Sequence, residues 1–331
     1  MKIDIFTHII PLEYKEALFK IAPPGVDILA NINSTPTVYD LEKRFQIMDQ
    51  FGSKQVITIA APAIEEIADP KNSPRLAQIA NNNLAELVAK YPDRFVAGVA
   101  ALPMNNIEAS LSEIDRAIKD LNLKGIQLFT PTLDKSLDSP EFLPIFEKMA
   151  NYDLPIWIHP RRAQTYPEYR TEEDSKYRIF SVFGWPFETT VAMTRIVFSG
   201  ILEKFPNLKI ITHHCGGMIP FFRERLIGSY ERIFKDLGDN VNQGLKMHHI
   251  EYFKKFYNDT AINGNTSALM CAYELWGAEH LLFGTDMPFD TEMGGRNLRQ
   301  VSQAIEKMTI SQAEKDKIFY GNAVELLKLS L

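Results

Sequence analysis

Three histidines and one aspartate each stand at the carboxyl end of a short apolar run in the sequence. They are His8, His159, His214 and Asp286. Imidazole nitrogens and a carboxylate oxygen are the ligands expected around a catalytic zinc-type ion, which takes three protein ligands and keeps one position open for water or substrate. The residue types therefore predict a site for metal-assisted chemistry, provided that the fold brings the four together.

Each residue also has a structural interpretation. A single histidine at a strand end is more often a hydrogen-bonded structural residue than a ligand, and Asp286 is placed where it could cap the next helix. Neighbours on a strand point to opposite faces, so we expect only His214 of the adjacent pair His213 and His214 to enter the site. We expect structural or solvent-facing roles for the remaining histidines, which are His248, His249 and His280.

The elements that position these residues alternate between short β-rich runs and longer segments with helical periodicity. This alternation is typical of βα units in a parallel sheet. The predicted strands cover residues 2–8, 54–61, 94–102, 123–129, 154–159, 208–214, 256–260 and 280–286. Predicted helices include residues 73–91, 107–121, 188–205 and 219–234. Eight strands with eight crossovers predict a closed α/β barrel, in which the carboxyl ends of all strands meet at one mouth.

The whole chain, residues 1–331, is expected to form one domain with two insertions. Residues 23–38 and 161–186 lack an apolar period and follow the first and fifth predicted strands. In a barrel, loops after strands lie on the active-site face. We therefore predict that both insertions are long loops beside the mouth.

Composition excludes several classes of function. The chain has 36 basic and 42 acidic residues, a net charge of −6 and 45% hydrophobic residues, and the absence of a basic block argues against nucleic acid as a partner. Apolar runs such as residues 56–61 are far shorter than the roughly 20 residues of a membrane span. The first residues lack a secretory signal pattern, and two cysteines cannot build a disulfide framework. We expect a cytoplasmic globular protein.

Six motifs in a fixed order resemble the amidohydrolase superfamily, in particular its branch similar to aminocarboxymuconate-semialdehyde decarboxylase. The motifs are DIFTHIIP at 4–11, IHP at 158–160, PFETT at 186–190, LEKFPNLK at 202–209, HCGGMIP at 214–220 and GTDMPF at 284–289. The resemblance extends over essentially the whole chain. It implies a distorted (β/α)8 TIM barrel, one divalent metal (usually zinc, with manganese possible) and no organic cofactor. The implied activity is non-oxidative decarboxylation of an unsaturated or aromatic carboxylic acid.

The same resemblance assigns roles to residues by position. His8, His159 and Asp286 match metal ligands, His214 matches the histidine that acts on the metal-bound water, and Asp286 is also a candidate proton acceptor. Arg225 matches an arginine that the family inserts into the neighbouring subunit's site, which implies a homodimer.

Three further positions are candidates for substrate binding. Phe289 matches an aromatic position that lines the family's site. Arg161 and Arg162 follow His159 directly, and a guanidinium suits planar, two-point contacts with a carboxylate. The alternative for this arginine pair is a solvated loop.

Phe6 departs from the family pattern, whose first strand carries His-x-His or Glu-x-His. Period two places Phe6 beside His8, where it becomes a candidate for substrate contact. Three outcomes follow: three ligands hold the metal, a different residue fills the gap, or the site binds no metal.

Two other functions compete with decarboxylation. The same metal and His214 suit hydrolysis of an amide, a lactone or a C–C bond, and Phe6 is compatible with a barrel that has lost catalysis. Cys215 is a further candidate, as a nucleophile, although the strand neighbour of His214 is expected to face away from it.

Overall fold

The strands of the protein form a parallel ring that brings the predicted site residues to one edge. The computed structural model describes residues 1–22, 32–237 and 244–330. Within these residues the strands are β1 (Lys2–Ile9), β2 (Ser53–Ile59), β3 (Phe95–Gly98), β4 (Ala100–Ala101), β5 (Ile126–Thr130), β6 (Ile156–Pro160), β7 (Ile210–Thr212), β8 (Tyr257–Asp259) and β9 (Leu281–Leu282).

The strands pair in chain order, β1 to β3 in one sheet and β4 to β9 in another, and all pairs are parallel. Val99 alone separates β3 from β4, so one predicted strand, 94–102, continues across both sheets. The last strand returns to the first: the Ile5 amide donates to the Phe283 carbonyl at 2.8 Å and the His8 amide to the Met287 carbonyl at 2.7 Å. Eight strands therefore close into a (β/α)8 barrel, as predicted.

Helices follow the strands and cover the outside of the barrel. They are Leu12–Ile21, Leu41–Phe51, Ile64–Ile67, Ser73–Lys90, Ile107–Lys119, Leu143–Tyr152, Ile179–Val182, Gly184–Phe198, Ile201–Lys204, Arg223–Leu237, His249–Phe253, Thr266–Trp276, Gly295–Glu306, Gln312–Asp316 and Asn322–Leu327. Several begin at side chains that satisfy free backbone amides: Asp40, Asn106 and Asn265 each accept a bond from an amide three residues ahead. Within the described residues, none of these helices is both long and apolar enough to cross a membrane.

The helix predictions at 73–91 and 107–121 are confirmed, whereas three boundaries were wrong. Helix 188–205 is broken at Gly200, whose φ of 77° ends one helix before the next begins. The predicted loop 161–186 is shorter at its carboxyl end, because helices begin at Ile179 and Gly184. The helix predicted at 219–234 begins only at Arg223.

The first predicted insertion, 23–38, is only partly described. Residues 23–31 lie outside the described part of the chain. The remainder includes the short 3-10 helix Pro36–Val38.

Two apolar cores stabilise the ring. The larger lies between strands and helices. The smaller fills the barrel interior around Phe6, Val56 and Trp157, and includes Leu326 and Leu327 of the last helix. A packed interior leaves the carboxyl edge of the strands as the place for polar side chains.

Candidate active site

Three imidazoles meet at the carboxyl edge of the barrel. His8 comes from β1, His159 from β6 and His213 from the residue after β7. Their ring centroids lie 5.0 to 6.0 Å apart, and one ligand nitrogen of each lies within 4.8 Å of the other two. The three rings are buried. The fold therefore brings together residues separated by about 200 positions in a cluster suited to a metal ion.

The ring of His8 is oriented by Thr58. The Thr58 hydroxyl donates its hydrogen to the Thr7 carbonyl at 3.1 Å, and the same hydroxyl oxygen lies 3.0 Å from His8 Nδ1. This contact orients the ring so that Nε2 of His8 faces Asp286 Oδ1.

His159 and His213 are held in the same way. Nδ1 of His159 lies 2.7 Å from the Pro160 carbonyl, which can only accept, so this nitrogen carries a proton. Nδ1 of His213 donates to the carboxylate of Asp259, which also accepts from the amides of Cys215 at 3.1 Å and Ala261 at 3.0 Å. In metal sites such partners for the second ring nitrogen orient the ligand.

The inward-facing nitrogens fit a bound cation. Among the described residues, Nε2 of His8 and Nε2 of His213 are buried without a hydrogen-bond partner. Asp286 Oδ1 lies 3.1 Å from the first and 3.5 Å from the second. The charge of Asp286 is balanced by a proton on one of these nitrogens or by a cation held between them and the carboxylate. The donor set therefore fits a divalent metal ion.

Asp286 owes its position to the turn after β9. Its φ of 62° is left-handed, and its amide donates to the Phe6 carbonyl at 3.2 Å. The carboxylate of Asp286 faces the imidazoles. The next helix begins only at Gly295, and the carboxylate that accepts from an amide of its first turn is that of Asp290, 2.7 Å from the Asn297 amide. The helix-capping interpretation of Asp286 is therefore wrong.

The segment after β7 corrects a second expectation. The strand ends at Thr212, and His214, Cys215, Gly216 and Gly217 all have φ between 53° and 71°. In this left-handed run the alternation of a strand no longer applies, and the rings of His213 and His214 lie 3.9 Å apart. Both imidazoles face the site, so the expectation that only His214 enters it was wrong.

The two glycines of this run are required by space as well as by φ. A Cβ at Gly216 would lie 2.4 Å from Cη2 of Trp276, and one at Gly217 would lie 2.4 Å from the Pro186 carbonyl oxygen. Only glycine avoids both the backbone strain and these overlaps.

The electrostatics favour one positive charge at the cluster. Burial, followed by the charge of His213, lowers the pKa of His214 to about 3, so this ring is neutral near pH 7. Burial opposes charge on His213 too, but the carboxylates of Asp259 and Asp286 outweigh it and raise the pKa to about 10. Two carboxylates thus favour a proton on His213 or a metal ion in its place.

The pKa of Asp286 is shifted in the opposite direction. Burial acts to raise it, but the neighbouring His213 and His8 outweigh burial and hold the pKa well below its usual range. Oδ2 of Asp286 lies 4.0 Å from Nε2 of His214. An ionised carboxylate and a neutral imidazole therefore adjoin at the rim of the cluster, where protons can be exchanged.

Aromatic side chains surround the imidazoles. Phe129 and Trp185 lie 5.0 and 5.8 Å from the ring of His159, and Phe289 lies 5.7 Å from the ring of His8. Phe289 is 41% exposed, so it stands at the entrance. Sequence reasoning named Phe289 but missed Phe129 and Trp185.

The arginines named from the sequence are placed differently. Arg161 forms an ion pair with Glu66, and Arg162 forms one with Glu188 at 2.8 Å. A guanidinium already paired with a carboxylate is less available to a substrate anion. Arg225 is exposed on its helix, and no partner for its guanidinium is found in the residues described.

Two residues near the site are inaccessible. Phe6 is fully buried beneath the imidazoles, its ring stacked on His213, so a substrate at the mouth does not reach it. Cys215 is buried, and burial raises the pKa of its thiol. A buried, protonated thiol does not act as a nucleophile.

Sequence reasoning missed His213 and Asp259. Asp259 lies one residue before the end of the seventh predicted strand, 256–260, close to the position that identified the other site residues, and this was the available signal. Asp259 is completely buried, which excludes a solvent-facing role for its carboxylate. His213 gave no comparable signal, since strand alternation pointed away from it.

A closed parallel α/β barrel with buried imidazoles and a carboxylate at its carboxyl edge defines a class of metal-dependent barrel enzymes. The chain belongs to the amidohydrolase family, whose model matches residues 3–329.

Similar proteins are decarboxylases. The chain is 31% identical over 297 residues to a gamma-resorcylate decarboxylase of Polaromonas sp. strain JS666, covering 87% of each chain. It is 28% identical to a 2-amino-3-carboxymuconate-6-semialdehyde decarboxylase of Dictyostelium discoideum, covering 99% of this chain and 92% of that one. The crystal structure of a dihydroxybenzoic acid decarboxylase from Polaromonas sp. JS666, with bound manganese and the inhibitor 2-nitroresorcinol, superposes with a TM-score of 0.79 at 28% identity, covering 99% and 96%. The chain is therefore an enzyme related to non-oxidative decarboxylases.

Proposed function

We propose that this protein is a metal-dependent, non-oxidative decarboxylase of aromatic carboxylic acids. The observation that carries the proposal is the set of inward-facing imidazole nitrogens with Asp286 beside them, in a fold whose relatives are named as decarboxylases. Aromatic side chains around the cluster support a flat, apolar substrate ring.

His8, His159 and Asp286 would hold the metal. When bound, a divalent ion supplies Lewis-acid polarisation of a substrate oxygen. Imidazole and carboxylate ligands accept both zinc and manganese. Since a structural neighbour with 28% identity contains manganese, both ions belong in the first tests, although the sequence alone favoured zinc.

Asp286 and His214 handle the proton. Oδ2 of Asp286 lies 4.0 Å from Nε2 of His214, and this pair takes up the one proton that is delivered to the substrate. The side chains of His214 and Asp286 are 16% and 22% exposed, so both are within reach of solvent. The proton moves to the ring carbon that bears the carboxylate, and a C–H bond forms from ring π electrons. The C–C bond then breaks, its electron pair restores the aromatic ring, and carbon dioxide leaves.

The test is a substrate panel assayed with manganese or zinc. Suitable acids are 2,6-dihydroxybenzoate, 5-carboxyvanillate and 6-methylsalicylate, which relatives are named for. We expect release of one carbon dioxide per product, with one deuterium at the former carboxyl carbon in D2O. Chelator-treated protein is the control.

Two results would contradict the proposal. Acid release from amides or lactones without carbon dioxide would favour a hydrolase. Metal-loaded protein that turns over neither the aromatic acids nor the amides and lactones would favour a barrel without catalysis.

The proposal extends to a homodimer in which Arg225 contacts the substrate carboxylate of a second copy. Its support is the exposure of Arg225 beside the exposed rings of Phe221 and Phe222. Sedimentation at assay concentration should give a dimer, and Arg225→Ala should raise the KM; a fully active monomer would contradict this. We also propose a cytoplasmic location, in agreement with the free thiols of Cys215 and Cys271 in the described residues.

A further inference from the structure

Phe6 occupies a place in the imidazole cluster without offering a ligand atom. Its ring lies 5.5 Å from that of His8 and 5.9 Å from that of His159, in edge contacts. Against His213 it stacks nearly parallel, with centroids 4.1 Å apart and planes at 19°. A hydrocarbon ring therefore faces the same centre as three imidazoles and supports one of them from the apolar interior.

His213 is the imidazole that this arrangement fixes most completely. Phe6 covers one face of its ring, the carboxylate of Asp259 holds Nδ1, and Nε2 is buried with no hydrogen-bond partner among the residues described. A buried ring nitrogen without a partner carries a desolvation cost. Coordination of an ion by Nε2 removes that cost.

Asp259 connects His213 to the backbone that follows it. Its second oxygen accepts from the amides of Cys215 and Ala261, so one carboxylate fixes both the ring and the left-handed turn. Asp259 is 0% exposed, and it contacts His213 at Nδ1, the ring nitrogen on the side away from the cluster. Asp259 is therefore a positioning residue.

We infer that His213 is a metal ligand, which together with His8 and His159 forms a three-imidazole site, and that it supplies the ligand that Phe6 cannot. This inference rests on the metal dependence in the proposed function. It adds a ligand absent from the set His8, His159 and Asp286, and it assigns Asp259 to the orientation of that ligand.

The first experiment measures metal affinity. His213→Asn keeps a donor near the position of Nδ1 for Asp259 and removes Nε2. The matched control is His248→Asn, since His248 lies on the surface at the start of a helix. We expect the manganese and zinc dissociation constants of His213→Asn to rise at least about 100-fold, with the control unchanged. An unchanged affinity in His213→Asn would overturn the inference.

The second experiment moves the imidazole from one strand end to the other. Because the ring at position 6 contacts the rings of His8, His159 and His213, an imidazole there is within reach of the same centre. We expect Phe6→His combined with His213→Asn to bind metal at least about 10-fold more tightly than His213→Asn alone. A double variant no better than the single one would overturn the claim that His213 replaces a ligand missing at position 6.

X-ray absorption of manganese-loaded wild-type protein keeps the inference testable if the variants fail to fold. Three imidazoles in the coordination shell are expected, and two would overturn the inference. The outcome is separate from that of the proposed function. Metal binding through His213 with no carbon dioxide release contradicts only the function, and carbon dioxide release with only two imidazoles contradicts only the ligand assignment.

Discussion

The ends of β1 and β7 place imidazoles at the same mouth by different backbone geometries. On β1 the chain stays extended, and Phe6 and His8, two residues apart, both face inward. Only His8 of this pair offers a ligand atom. After β7 the chain turns into a left-handed run, and the adjacent rings of His213 and His214 both face inward. The difference shows that an extended strand presents only every second side chain to the site, whereas a left-handed turn can present two adjacent side chains.

The two ends also differ in their supporting contacts. Thr58 on the neighbouring strand orients His8, whereas Asp259, which closes β8, orients both His213 and the backbone of the turn. A left-handed run of four residues costs of the order of 1 kcal/mol for each non-glycine member. The geometry of the histidines after β7 therefore depends more on particular residues, namely Asp259 and the two glycines, than the geometry of His8 on β1 does.

His214→Gln should separate the two rings after β7 by their roles. If His213 binds the metal and His214 moves the proton, this variant keeps its metal content while kcat falls about 100- to 10,000-fold, the usual range for loss of an acid–base group. Metal analysis and carbon dioxide release measure the two effects. Loss of metal together with activity would show that both rings are ligands.

Gly217→Ala tests whether the turn is strained. The added Cβ would approach the Pro186 carbonyl at 2.4 Å at a φ of 61°, so the free energy of unfolding should fall by about 2–4 kcal/mol. Denaturant unfolding measures this value. Gly228→Ala is the matched control, because a Cβ there meets nothing within 4 Å. Equal stability of the two variants would contradict the steric account.

Asp259→Asn addresses the support of His213. The amide can no longer balance the charge of a metal-bound imidazole, so we expect a 10- to 100-fold loss of metal affinity, as is typical for partners of metal ligands. Thr58→Val, which removes the partner of His8 on the other strand, provides the comparison. Equal affinity of Asp259→Asn and wild type would contradict the positioning role.

Cys215 should show the smallest effect. Burial raises the pKa of its thiol, so an alkylating reagent applied to native protein at pH 7 should leave Cys215 unmodified and activity unchanged. Cys271→Ser removes the other cysteine, which is partly exposed, and mass spectrometry then reads Cys215 alone. Modification of Cys215 with loss of turnover would revive the nucleophile interpretation.

Sequence patterns predicted the barrel because eight apolar runs must be covered by the helices between them, and this constraint is local. They also placed His8, His159 and Asp286 at one rim, since parallel strands share an edge. The position of His213 was out of reach because it depends on left-handed backbone at His214 and Cys215, and two consecutive non-glycine residues in that region are uncommon. The pairing of Arg161 with Glu66 was equally hidden, because it joins loops after different strands.

Anomalous diffraction from a manganese-loaded crystal tests the central claim most directly. We predict one peak in bonding contact with ring nitrogens of His8, His159 and His213, with Asp259 still bonded to the far side of His213. A peak coordinated by His8 and His159 but out of reach of His213, or the absence of any peak at the barrel mouth, would contradict the account.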